Sequence, residues 1–318
     1  MEIAAAISNL RFDIEDFKFI YRAGVWKPRT SPNTFQGAGD EALKWLQEVK
    51  ATYGMPVATE VATPEHVEKA LAAGIDCLWI GARSSATPIV VQSLADSIGD
   101  WRLKIEDFRL KGIFIKNPVN ADAKLWLGNI ERLEKTGLPV MAVHRGCGHQ
   151  PCWHMAHEVR LARPDIPMLL DPSHMSGDAA QVPVLMEKIA ELGLDGAMIE
   201  VHNKPSEALS DAKQQISPDG LTATLLDHFV VRPASPVRSE TELNWLRAEI
   251  DELDEQLWDT IAARMEVSKR IGAWKKAHGV APLQPERVKV ISERIKAKGE
   301  WALRIWEQIH QESLKQQE

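Results

Sequence analysis

Short apolar runs alternate with longer amphipathic stretches from residue 17 to about residue 203. The runs are Phe17 to Tyr21, Pro56 to Val61, Cys77 to Gly81, Gly112 to Lys116, Pro139 to His144, Pro167 to Leu170 and Gly196 to Val201. Between them lie segments with helical spacing, among them Asp40 to Tyr53, Pro64 to Ala73 and Val182 to Leu192. Strands that read as apolar throughout, separated by helices, predict a parallel sheet covered on both faces. Nearly every run ends in polar residues: Arg22, Glu60, Arg83, Lys116, His144 with Arg145, Asp171 with His174, and Glu200 with His202. A (β/α)8 barrel of the TIM type brings the C-terminal ends of its strands to one mouth, so the pattern predicts that architecture. An open doubly wound sheet is the alternative, and it would not gather polar groups from every strand.

Seven runs are evident where a closed barrel needs eight, and the first strand is short or missing. Ile3 to Ile7 reads as a shortened strand, but only about nine residues then separate it from Phe17, short for a parallel crossover. The other reading makes residues 2–12 a helix.

A different pattern follows. The stretch around Val230 to Arg238 contains Pro233 and Pro236 and no periodicity, so residues 230–240 read as a linker between a barrel at 1–229 and a helical domain at 241–318. Ser239 and Glu242 form a capping-box pattern. Leu243, Leu246, Ile250, Leu253, Leu257 and Ile261 then recur at three- and four-residue spacings, predicting one helix to about His278, ended by Gly279 and Pro282. At 1.5 Å per residue it is about 50 Å long. Its apolar stripe needs a second copy to cover it, which predicts a homodimer through this domain, with higher assembly left open. Helices from Pro285 to Lys298 and from Trp301 to Gln317 complete the domain.

Composition narrows the chemistry. The 318 residues carry a net charge of −7, which argues against nucleic acid as a partner and makes local basic clusters sites for small anions. Arg22 to Pro32 holds three fixed cations, Arg22, Lys27 and Arg29, with the hydroxyls of Thr30 and Ser31, a set suited to phosphate and carboxylate groups. Cys77, Cys147 and Cys152 make no disulfide framework, no run spans a bilayer, and no signal peptide is evident, so the expectation is a soluble cytoplasmic protein.

At Lys27-Pro28-Arg29-Thr30-Ser31-Pro32, Ile80-Gly81-Ala82-Arg83, Ile115-Lys116-Asn117-Pro118, His144-Arg145-Gly146, Asp171-Pro172-Ser173-His174, Ile199-Glu200-Val201-His202 and Leu209-Ser210-Asp211-Ala212, the chain resembles 3-deoxy-D-arabino-heptulosonate 7-phosphate (DAHP) synthase of the type I beta kind. The sister enzymes making 3-deoxy-manno-octulosonate 8-phosphate share the barrel and resemble the chain less at Lys27 to Thr30. The resemblance implies condensation of phosphoenolpyruvate with erythrose 4-phosphate. Arg22, Lys27, Arg83, Lys116 and Arg145 would hold phosphoenolpyruvate, with Lys27 counted as catalytic; Arg29, Thr30 and Ser31 would receive the sugar phosphate. His174, Glu200 and Asp211 match three ligands of that family's divalent ion, Mn, Co, Fe or Zn. Its fourth ligand, a cysteine in Gly-Pro-Cys-Ser, has no counterpart, and Ile7 would stand in its place. Weak metal binding and reduced synthase activity follow as an alternative, with His144, Cys147, His149, Cys152, His154 and His157 as another source of soft donors.

Residues 243–317 resemble the all-helical chorismate mutase, through Leu246 to Asp254, Ala263-Arg264 and Trp274-Lys275. The match implies that Arg247 and Arg264 bind the two carboxylates of chorismate, one of them from the partner subunit. Lys275 and Gln317 would bond the ether oxygen, and Arg287, Gln284 and Ser313 would complete the lining. The connection around Lys298 to Trp301 is shorter than usual, which predicts Ser313 and Gln317 displaced from Lys275. A sigmatropic rearrangement asks only for cations around a dianion held in its reactive shape. The whole reads as a bifunctional shikimate-pathway enzyme in which chorismate or prephenate at the mutase domain reports allosterically on the barrel. The competing expectation is a non-catalytic, dimerising ligand sensor.

Overall fold

The computed structural model describes residues 1–13, 19–29, 31–104, 109–228 and 238–317, and the chain divides into two compact units, Met1–Glu249 and Ile250–Glu318. In the first unit, seven strands form one sheet: β1 Tyr21–Arg22, β2 Val57–Glu60, β3 Cys77–Ile80, β4 Gly112–Lys116, β5 Val140–His144, β6 Met168–Leu170 and β7 Gly196–Ala197. Each pairs in parallel with the next, in chain order. The strand order never reverses, so the doubly wound alternative is excluded.

Side chains alternate across this sheet as in a barrel wall. Ala58, Cys77, Trp79, Phe114 and Val143 form one apolar cluster, while their neighbours Val57, Leu78, Ile80, Ile113, Ile115 and Ala142 join the larger core under the helices. Both layers are apolar, which is why the strands read as unbroken hydrophobic runs. The central strands match their predicted runs closely. The edges do not: β1 and β7 have two residues each, against predicted runs of five and six. An edge strand finds ladder partners on one side only, and β7 ends where its pairing with β6 ends. Phe17 and Lys18 lie outside the described residues, as do residues 230–237 of the predicted linker at 230–240, whose last three residues are already helical.

The N-terminal ambiguity resolves as a helix, Glu2–Asp13. Ala4 is fully buried, and the helix packs on Pro218–His228 and Glu41–Tyr53. The wall is therefore a seven-stranded half-barrel of the TIM type, without a strand from residues 3–7.

The long helix Arg238–Ala277 has 40 residues, about 60 Å. It is already formed at Arg238, so Ser239 lies inside it instead of capping it. Its first turns belong to the first unit. Trp245, 2% exposed, stacks on His157 at 5.4 Å and meets Trp153 edge-on at 6.0 Å, while Glu249 pairs with His157. In the second unit, Pro285–Lys296 packs on Glu300–Lys315. Gly272 gives the long helix room for Gln317, whose Cα would lie 2.6 Å from a Cβ at that position. Ile250 and Leu253, both 60% exposed, and Leu257 leave the predicted apolar stripe open to solvent in the single chain.

Candidate active sites

The strand ends of the first unit enclose a cavity of about 540 Å³ lined by Arg22, Lys27, Arg29, Arg83, Lys116 and Arg145, together with Glu60, His174, Glu200 and Asp211. Each comes from the end of a strand or the loop after it, which is why residues up to 189 positions apart in sequence share one space. Ser31 is exposed and outside the lining, its carbonyl accepting from Thr34 and Gln36. Thr30 lies outside the described residues.

The cavity is rich in cations, and most of them face carboxylates of the same chain. Lys116 Nζ donates to Asp171 Oδ2 at 2.7 Å with both side chains buried. Arg22 lies 3.6 Å from Glu200 and over the Trp79 ring at 5.2 Å. Lys27 and Arg29 both donate to Asp211, at 3.2 and 2.9 Å. Asp211 adopts a left-handed backbone, φ 56°, a conformation that Asp tolerates better than most residues. Burial alone would raise the pKa of Asp211, yet the Arg29 hydrogen bonds and the charge of Lys27 hold it far below the ordinary carboxylate value. Asp171 follows the same rule: burial works against its charge, and His174 and Lys116 hold it well below its usual value. In Glu60 burial prevails and raises the pKa.

His174 Nδ1 sits 3.0 Å from Asp171, and its Nε2 lies 3.8 Å from Glu200. Gln214 donates to Glu200 at 2.7 Å. Two of the three expected metal ligands are thus brought together, while Asp211 is engaged by two cations. Among the described residues no group of three His, Cys, Asp or Glu side chains could hold a metal ion. With no thiolate at the mouth and the third carboxylate so occupied, the donor set as arranged does not fit a divalent ion. Of the His and Cys run after β5 only His149 lines the cavity: His144 is fully buried beside Trp126 and Trp153, His157 is bound to Glu249, and the Cys147 backbone pairs with Gln150.

The second unit holds a smaller group. Arg264 Nη1 donates to the Ser313 hydroxyl and, at 3.3 Å, to the Ile309 carbonyl; Lys275 Nζ donates to Gln317 Oε1 at 3.1 Å and to the Pro282 carbonyl at 2.5 Å. The short connection therefore does not separate Ser313 and Gln317 from the long helix. Gln284 and Arg287 stand exposed at the start of Pro285–Lys296, outside this hydrogen-bonded group. Arg247 is exposed in the first unit, donating to Asn244 at 3.4 Å.

Three groups received no role from sequence reasoning about the sites. Glu60 and Asp171 ended predicted strands, and that position was their signal. His310 had none beyond lying three residues before Ser313 on the same helix.

The DAHP synthetase I family model matches residues 1–102 and 112–227, and the chorismate mutase type II model matches residues 246–318. The phospho-2-dehydro-3-deoxyheptonate aldolase of Thermotoga maritima is 31% identical over 203 residues, 62% of this chain and 56% of that protein. A 2-dehydro-3-deoxyphosphooctonate aldolase of Desulfatibacillum aliphaticivorans is 27% identical over 256 residues, 74% of this chain and 87% of that protein. The crystal structure of the Thermotoga maritima aldolase (DAHP synthase) superimposes with a TM-score of 0.59 at 25% identity, covering 71% of this chain and 63% of that one. The chain thus spans little more than half the length of the first of these relatives.

Proposed function

Because the chain belongs to the DAHP synthetase I family and its residues 246–318 match type II chorismate mutase, we propose that it is a bifunctional enzyme of the shikimate pathway. Its first unit condenses phosphoenolpyruvate with erythrose 4-phosphate to DAHP, and its helical segment rearranges chorismate to prephenate. The observation that carries the first activity is the cavity into which four strand ends deliver Arg22 with Lys27, Arg83, Lys116 and Arg145. Two phosphorylated anions repel one another, and bringing them within bonding distance needs this density of fixed positive charge. Arg22, Lys27, Arg83, Lys116 and Arg145 hold phosphoenolpyruvate in this reading, and Arg29 with Thr30 takes the sugar phosphate. In the helical segment Arg264 is bonded to Ser313 and Lys275 to Gln317, and in this reading Gln284, Arg287 and Arg247 complete the chorismate site, one of the carboxylate-binding arginines arriving from the partner subunit. The exposed stripe of Ile250, Leu253 and Leu257 supports dimerisation, which sedimentation of the purified chain tests. We read the enzyme as cytoplasmic, in keeping with three cysteines that form no disulfide and with no described helix long and apolar enough to cross a membrane.

Assays of phosphoenolpyruvate consumption and of chorismate loss, each with and without added Mn, test both halves. A chain active in neither refutes the proposal. A second reading is favoured by the pairing of Asp211 with Lys27 and Arg29: metal, whether Mn, Co, Fe or Zn, binds weakly, and synthase activity is reduced or absent. Full turnover at low metal sinks that reading. Feedback by chorismate or prephenate through the helical segment is a further part of the proposal. Inhibition of the synthase by prephenate that survives Arg264→Ala removes it.

A further inference from the structure

The two cations of the helical group have only neutral partners: two carbonyls, a hydroxyl and a side-chain amide oxygen. No carboxylate of the described residues forms an ion pair with Arg264 or Lys275, so the group carries net positive charge that an anion would neutralise. His310 lies beside it. It follows Ile309, whose carbonyl binds Arg264, and precedes Ser313 by three residues, so it shares the helix face that meets Arg264. Its ring stacks on Trp306 with centroids 5.0 Å apart and planes 6° from parallel, which holds the imidazole in one plane. Its Nε2 is buried and has no hydrogen-bond partner. A buried polar nitrogen without a partner is costly, and in a ligand site it marks a place where the ligand supplies the missing atom.

Burial, and then the charges of Arg264 and Lys275, lower the proton affinity of the ring, so it stays neutral near pH 7 and has one N–H to place. Both cationic neighbours are donors, and neither offers an acceptor to Nε2. An anion lying against Arg264 and Lys275 does offer one, and it selects the tautomer with the proton on Nε2.

We propose that His310 is a further substrate-binding residue of this site, its Nε2–H donating to an oxygen of the dicarboxylate held by Arg264 and Lys275. The inference rests on the mutase reading, in which that dicarboxylate is chorismate. A contact made equally to the bound substrate and to the transition state shows in KM and leaves kcat nearly unchanged.

The test uses the full chain and two variants. His310→Phe keeps the ring stacked on Trp306 and removes the donor, and His310→Gln keeps an amide donor at similar reach. His310→Phe is expected to raise KM for chorismate about ten- to a hundredfold, the worth of one hydrogen bond to a charged group, with kcat within about threefold. His310→Gln should recover most of that loss, and the thermal midpoint of His310→Phe should not fall, since an unpartnered polar atom has been removed. An unchanged KM in His310→Phe overturns the proposal, as does a His310→Gln variant as impaired as His310→Phe. Arg264→Ala separates the two readings. Turnover that is lost in Arg264→Ala and untouched in His310→Phe leaves the mutase reading and removes His310. A wild-type chain that neither turns over chorismate nor binds chorismate or prephenate by calorimetry overturns both.

Discussion

The barrel mouth and the helical cluster are both built from lysines and arginines, yet they hold positive charge in opposite ways. At the mouth Lys116 is neutralised by Asp171, Lys27 and Arg29 by Asp211, and Arg22 faces Glu200. In the helical unit Arg264 and Lys275 rest on carbonyls, a hydroxyl and an amide. A cation paired with a buried carboxylate serves the fold as well as the ligand, because removing it strands a charge in low dielectric. A cation on neutral oxygens is held in place with its charge still available, so its loss costs binding more than stability.

The sharpest way to break this comparison is Lys116→Met. It leaves Asp171, fully buried, without its lysine, and a loss of about 3–5 kcal/mol in denaturant unfolding is expected, partly recovered in a Lys116→Met, Asp171→Asn double variant. Equal stability of Lys116→Met and wild type would show that the mouth pairs carry no structural weight. Arg264→Ala is the counterpart. Mutase turnover should drop about a hundred- to a thousandfold, as for a lost transition-state donor, with the unfolding midpoint nearly unmoved.

Acid offers a third, smaller lever on the first unit. His144 is fully buried, and burial pushes its pKa down from 6.5 to about 3 against the opposing hydrogen bond with the Pro151 backbone. The folded state therefore refuses a proton that the unfolded chain accepts. Its contribution is complete above pH 6.5 and is lost as pH falls toward 3, at about 1.4 kcal/mol per pH unit. Unfolding curves of His144→Phe should lose that slope between pH 6 and 4. An unaltered slope assigns the acid sensitivity elsewhere. The smallest effect is expected for Asp211→Asn, which releases Lys27 and Arg29 from a carboxylate that is 25% exposed. Inorganic phosphate should bind a few-fold more tightly by calorimetry, in line with the modest worth of such pairs near solvent. Weaker phosphate binding would mean that Asp211 positions the two cations more than it competes for them.

Much of the mouth was legible along the chain. Strands covered on both faces must be apolar at every position, so Cys77 to Ile80 and Gly112 to Lys116 declared themselves, and the polar residue after each run marked the cation-rich end of the barrel. The N-terminus was ambiguous because Ile3 to Ile7 is short and alanine-rich, with no period long enough to choose between strand and helix. Burial of Ala4 against two other helices made the choice. Trp245 was hidden for a related reason. The stripe of Leu246, Ile250 and Leu253 dominates the helix pattern, whereas the contact with Trp153 and His157 is made by Trp245, one apolar residue on another face, with Glu249 beside it.

By itself the sequence determined most of the elements, their parallel order, the end of the barrel where charge collects and the two families of motif. These depend on local period and on residue type, which each short stretch carries with it. Only the tertiary structure decided who pairs with whom: Asp211 with Lys27 and Arg29 across more than 180 positions, Arg264 with Ser313, and Nε2 of His310 with no partner. Hydrogen bonds and ion pairs are set by distances of a few ångström, and no linear pattern encodes the distance between residues that folding brings together from far apart.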